Sequence, residues 1–125
     1  MPIIDFMTGK QITGILQRGE RGSRYNAVLR GLTPPELAGV RNALDALING
    51  SEIHTAGWMP GSDWHNTPFW PLYTGPAQRD FIWAGLMFGL MVWEAFERHP
   101  EDWLTGRFEL DGVEIGSRTY WKRQY

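Results

Sequence analysis

The sequence predicts an α+β fold: three to four helices around a buried central helix at about 76–98, closed by a C-terminal β-hairpin at about 106–121. Three observations carry this. Residues 81–93 hold no polar side chain. That run is too short to span a bilayer, which takes roughly 20 residues, and a soluble helix that is apolar all round is buried on every side. Thr33-Pro34-Pro35-Glu36 joins a capping box to a proline at the first helical position, a strong helix start. Phe108-Glu109-Leu110 and Val113-Glu114-Ile115 alternate on either side of Asp111-Gly112, the strongest short hairpin signal.

The elements follow in order. Residues 8–19 read as a helix, with Thr8 as N-cap, Gln11 three residues on, and Ile12, Ile15 and Leu16 on one face. Gly19-Glu20-Arg21-Gly22 reads as a break, after which Ser23 caps a segment with Tyr25, Val28, Leu29 and Leu32 at helical spacing. A rival reading of residues 8–32 pairs Ile12–Leu16 with Tyr25–Leu29 as a hairpin; helices are preferred. The helix begun at Thr33 buries Leu37, Val40, Leu44, Leu47 and Ile48 and ends at Asn49-Gly50. A long connection over 51–75 follows, with a short strand near 52–55. Pro76 opens the central helix, and His99-Pro100 stops it after Arg98. Gly85 and Gly89, four apart, mark close helix packing in the core. In the hairpin, Phe108 faces Ile115 and Leu110 faces Val113 on the core side, Glu109 opposes Glu114, and Thr119-Tyr120-Trp121 extends the second strand.

Composition bounds the function. The 125 residues suit a single globular domain over 1–125, and 42% apolar content is enough for a core. With no cysteine, disulfides, thiolate metal sites and cysteine nucleophiles are excluded, which favours a reducing cytoplasm. Met1-Pro2-Ile3-Ile4-Asp5 has no basic leader before an apolar run, so no signal peptide is expected, and no membrane span either. Residues 1–30 carry a balance of +3, residues 31–115 of −8 and the last ten of +3. Basic ends and an acidic middle suggest that the ends fold back on the middle, or meet it in a neighbouring subunit. A net charge of −2 leaves no basic surplus for nucleic acid. Seven tryptophans and a fully apolar helix leave an apolar patch that wants a partner, so a homo-oligomer is expected.

The residues that can carry chemistry sit in the connection. Asp63 and His65, with His54 and Glu52 nearby in sequence, can form an acid–base dyad or ligate a divalent cation, although the spacing fits no metal motif. The plainer reading makes Asp63 an Asx-turn residue and His65 a partner of loop backbone. The aromatic loop at 58–73 can stack a small molecule or anchor a protein partner, with Trp70 expected buried. The candidate binding set is therefore Trp58, Asp63, Trp64, His65 and Asn66. No catalytic residue, metal or cofactor is assigned. Arg18, Arg21, Arg24 and Arg30 read as a solvated or ion-paired face. Glu94, four residues before Arg98, reads as a helix-surface carboxylate. The leading reading is a non-catalytic binding or interaction module, self-associating. The alternative is a small hydrolase or metal-dependent enzyme centred on Asp63 and His65.

The stretch Trp58-Met-Pro-Gly-Ser-Asp-Trp64, with His99-Pro-Glu-Asp-Trp103 and Gly106-Arg-Phe-Glu-Leu110, resembles small uncharacterised bacterial proteins carried on integron gene cassettes. The resemblance covers roughly residues 33–120. It implies a bacterial, cytoplasmic setting on a mobile genetic element and no particular activity.

Overall fold

A computed structural model describes residues 3–56, 59, 63–110 and 113–123. It is an α+β fold of four helices and a five-stranded mixed sheet. The chain runs β1 (Ile3–Asp5), β2 (Gln11–Ile12), a 3-10 turn (Ile15–Gln17), α1 (Gly19–Gly31), α2 (Pro34–Ile48), β3 (Ile53–Thr55), α3 (Trp70–Thr74), α4 (Phe81–Arg98), β4 (Trp103–Leu110) and β5 (Val113–Lys122). The sheet order is β2-β1-β4-β5-β3, with β1 parallel to β4 and the other pairs antiparallel.

The start of α2 is as expected. The Thr33 hydroxyl accepts from Glu36 N–H, and the Glu36 carboxylate accepts from Thr33 N–H at 2.9 Å. Val40, Leu44 and Ile48 are buried while Leu47 reaches solvent. The hairpin also forms, with Glu109 opposite Glu114 and Leu110 opposite Val113; the register then shifts, so that Arg107 opposes Arg118. The Asp111-Gly112 turn and the side chains of Phe108, Leu110, Val113 and Ile115 lie outside what is described.

The N-terminal region departs from the sequence reading. Residues 8–19 are not a helix, and the rival hairpin is absent too. Ile3–Asp5 instead pairs with Gln11–Ile12 and, in parallel, with Trp103, Leu104 and Thr105. The supposed break at Gly19-Glu20-Arg21-Gly22 is the first turn of α1, with Gly22 N–H donating to Arg18 O at 2.9 Å. Glycine there serves a close approach, since a Cβ on Gly22 would stand 2.9 Å from the Gln17 carbonyl carbon. Pro76 does not open α4. Residues 75–80 turn instead, Gln78 and Arg79 take positive φ, and Asp80 caps α4 by accepting from Ile82 and Trp83 N–H.

The core lies between α4 and one face of the sheet. Phe96 stacks on Tyr120 at 4.0 Å and meets Trp103 edge-on at 4.7 Å. Val28, Val40, Leu44, Leu72 and Met91 close it from the helical side. On the sheet's other face, Ile4, Leu104, Trp121 and Ile53 stand in one row, and Phe6 packs on Trp121. The basic C-terminal strand does meet the acidic segment before it: Lys122 pairs with Glu101 at 2.9 Å and Arg123 approaches Asp102 at 3.9 Å.

Two expectations about α4 are corrected. Its second half is buried, but its first half is buried along one side only: Ala84, Met87 and Phe88 face inward, while Phe81 is 77% exposed, Ile82 64%, Trp83 45% and Leu86 45%. Phe81, Ile82, Gly85 and Leu86 make the exposed side of this half, and Arg24 of α1 reaches over Trp83. Gly85 and Gly89 are not sites of internal close packing either, because a Cβ on each would meet nothing within 4 Å. Glu94 is the second correction. It is 5% exposed, and Arg41 binds it through two bonds of 2.8 and 2.9 Å. Tyr25 OH also donates to it, and Arg98 stands 3.6 Å away, so this carboxylate ties α1, α2 and α4 together. Among the described residues no helix is long and apolar enough to cross a membrane.

Candidate functional site

Residues 63–69, ahead of α3, fold as a compact turn around Trp64. Trp64 O accepts from Thr67 N–H at 3.1 Å and from the Thr67 hydroxyl at 2.7 Å, which in turn accepts from Phe69 N–H. Asn66 takes φ 58°, a left-handed conformation that Asn tolerates better than most residues. The turn holds because its rings are anchored: Trp64 packs on Phe88 of α4 at 5.5 Å, and Phe69, buried, meets the same ring edge-on at 5.0 Å.

Asp63 and His65 come together, as their spacing suggested. One Asp63 oxygen accepts from His65 N–H at 2.9 Å and from His65 Nδ1 at 2.8 Å. The first bond is the expected Asx turn; the second makes a side-chain dyad on top of it. Both bonds favour the ionised carboxylate, so the backbone hydrogen bond and then the imidazole hydrogen bond hold Asp63 below the usual carboxylate range. With Nδ1–H given to Asp63, neutral His65 keeps Nε2 as an acceptor. The imidazole lies on Trp70, centroids 4.0 Å apart and planes 30° from parallel, and Trp70 lies 5.0 Å from Tyr73.

Between this dyad and the start of α4 is a cavity of about 360 Å³, lined by Asp63, Trp64, His65, Trp70, Tyr73, Phe81 and Ala84. Three of the candidate residues, Asp63, Trp64 and His65, thus share one site. Asn66 stands exposed on the turn outside the lining, and Trp58 lies outside the described residues. Trp70 is not buried as expected. It is half-buried and forms a cavity wall, because α3 is a single turn that presents Trp70 and Tyr73 on one side. Tyr73 belongs to the aromatic loop that the sequence offered as a stacking platform, though not to the candidate set; sequence reasoning missed Phe81 and Ala84. The signal that could have found Phe81 is Asp80: a cap there puts residue 81 in the first helical turn, beside the loop that precedes it.

His54 and Glu52 do not join the dyad. His54 Nε2 lies 2.9 Å from Ile48 O and 3.1 Å from Ser51 O, so it donates to the end of α2, and its ring packs against Phe96 and Trp103. That is a helix-end cap, and it removes His54 from any metal set. Among the described residues no three His, Asp or Glu side chains gather to hold a metal ion. Glu52 lines a separate polar cavity with His99, Glu101 and Lys122. Burial holds His99 below the usual histidine range, and its nitrogens are engaged by Asn49 Oδ1 and Glu101 N–H.

A third cavity, about 540 Å³, runs along the other flank of α4 and is lined by Ile15, Arg18, Gly19, Glu20, Arg21, Arg24 and Leu86. The Arg24 guanidinium sits over Trp83 at 4.9 Å. The exposed side of α4 is thus bordered by an aromatic cavity with a carboxylate on one side and, on the other, by three arginines with Glu20 among them. Comparison with protein-family models, with curated proteins and with solved structures gives no match for this chain.

Proposed function

We propose that this protein is a non-catalytic binding and interaction module that self-associates through the first half of α4. The observation that carries this reading is the solvent exposure of Phe81, Ile82, Trp83 and Leu86 on one helix. Isolated exposed apolar residues are ordinary, but a contiguous apolar patch marks an interaction surface. At about 100° per residue, Ile82, Gly85, Leu86 and Gly89 share one side of the helix. Glycine inside a helix costs about 0.5–1 kcal/mol relative to alanine. Gly85 and Gly89 have no internal neighbour that requires them. A second backbone crossing at Gly85 gives them a reason to be there.

The flanks favour a second copy of this chain as the occupant. Arg18, Arg21 and Arg24, with Glu20 among them, give the α1 flank a net positive charge, and Asp63 lines the opposite flank. One surface therefore carries both signs of charge around an apolar strip, which is what a self-complementary pair needs. A stable interface buries about 800 Å² per partner, so both flanks take part along with the strip. The resemblance to cassette-borne bacterial proteins adds a bacterial cytoplasmic setting to this proposal.

Sedimentation velocity tests it. The protein should show a reversible dimer, and Leu86→Glu should weaken it by about 100-fold or more, because a carboxylate would be stripped of water at the crossing. Ile53→Glu, on the exposed row of the sheet, should leave association unchanged. A monomer at high concentration, or dissociation by Ile53→Glu instead of Leu86→Glu, contradicts the reading.

A second reading, a small hydrolase centred on Asp63 and His65, rests on the dyad itself. Its geometry leaves Nε2 free to take a proton from water beside an apolar cavity. Turnover of an activated ester that disappears in His65→Ala would favour it.

A further inference from the structure

We propose that the cavity between the 63–70 turn and the start of α4 binds a small alkylated ammonium ion. Its volume of about 360 Å³ lies at the small end of ligand sites. Its walls are aromatic on several sides: Trp64, Trp70 and Tyr73 from the turn and α3, Phe81 from α4, with the Ala84 methyl between them. Aromatic rings present negative faces to a cation, and a quaternary ammonium is the cation that loses least by leaving water for such a site.

The charge at the rim has the matching sign. Asp63 is the carboxylate among the lining residues, and no lysine or arginine joins it there. His65 occupies one carboxylate oxygen with two hydrogen bonds. The second oxygen has no donor among the described residues. The dyad thus fixes Asp63 in place without using it up.

Other ligand chemistries fit less well. An anion would meet Asp63. An inorganic divalent cation takes about six or more oxygen ligands, and among the described residues no three His, Asp or Glu side chains gather to hold one. This inference shares Phe81 and the Asp63 flank with the proposed interface, and Leu86→Glu, at a residue outside the cavity lining, reads the cavity with association removed.

The test is a titration of intrinsic tryptophan fluorescence with choline and with 3,3-dimethylbutan-1-ol, its neutral isostere. Choline should give a saturable change, with the alcohol at least about tenfold weaker. Asp63→Asn should weaken choline about tenfold. Phe81→Ala should weaken it as well, and Phe81 is exposed enough that its removal leaves the core intact. Leu86→Glu should bind choline as the parent does, which separates a failure here from a failure of self-association. Equal binding of the neutral alcohol overturns the proposal, and so does the absence of saturable choline binding by the folded protein.

Discussion

Trp103→Ala is expected to lower the unfolding free energy by about 3–5 kcal/mol, the largest single effect in the core. Trp103 is 1% exposed where β4 meets α4. Its ring contacts Phe96 at 4.7 Å and stands 5.8 Å from His54 and 5.6 Å from His99. Truncation opens a cavity between sheet and helix and loosens the histidine that caps α2. Trp103→Phe should cost less than half as much. Its indole N–H has no acceptor among the described residues, so phenylalanine keeps much of the packing and removes an unpaired buried donor. Urea unfolding of the two variants checks this, and equal losses would show that the ring's contacts do not set the cost.

Glu94→Ala is expected to cost about 2–4 kcal/mol. Breaking a fully buried ion pair costs more, but the Arg41 side chain is 33% exposed and can recover some water. The acid limb of stability carries the same signature. Burial raises the Glu94 carboxyl, yet the hydrogen bonds from Arg41 and Tyr25, with the charges of Arg41 and Arg98, outweigh it and hold the group below the usual carboxylate range. A folded pKa below the unfolded one gives stability that is full above the unfolded value and is lost as pH falls through the folded value. The gap between the parent and Glu94→Gln should therefore be widest near neutral pH. It should shrink below the ordinary glutamate pKa of roughly 4.3. A gap that stays constant with pH would show that the charge on Glu94 contributes nothing.

Glu94 also shows where sequence reading stops. Arg98, four residues on, makes a surface pair plausible, and nothing local contradicts it. The partners that draw the carboxylate inside are Tyr25 and Arg41, which are distant in the chain. By contrast, α2 was legible because its start is written in local chemistry: a hydroxyl, a proline and a carboxylate at fixed offsets. The β4–β5 pairing was legible for the same reason, through alternation about a turn dipeptide. β1 and β2 were not, since strands of three and two residues show no period and are stabilised by pairing with β4 and with each other. In the site, the Asp63–His65 pair was visible from spacing. Phe81 was not, because what places it beside the dyad is the turn at 75–80, with its two positive-φ residues.

The proposed self-association accounts for the oddest feature of the sequence, an apolar run over 81–93 with two glycines. A helix buried on all sides would explain the composition but not glycines that touch nothing. An exposed strip that receives a second backbone explains both. The chain has no cysteine, so a single introduced thiol reports its own neighbourhood. Gly85→Cys should oxidise to a covalent dimer in high yield, because a crossing at that position brings the two Cα atoms within disulfide range, about 4.4–6.8 Å. Ile53→Cys should form no covalent dimer under the same mild oxidant. Cross-linking at Ile53 with none at Gly85 would contradict the account.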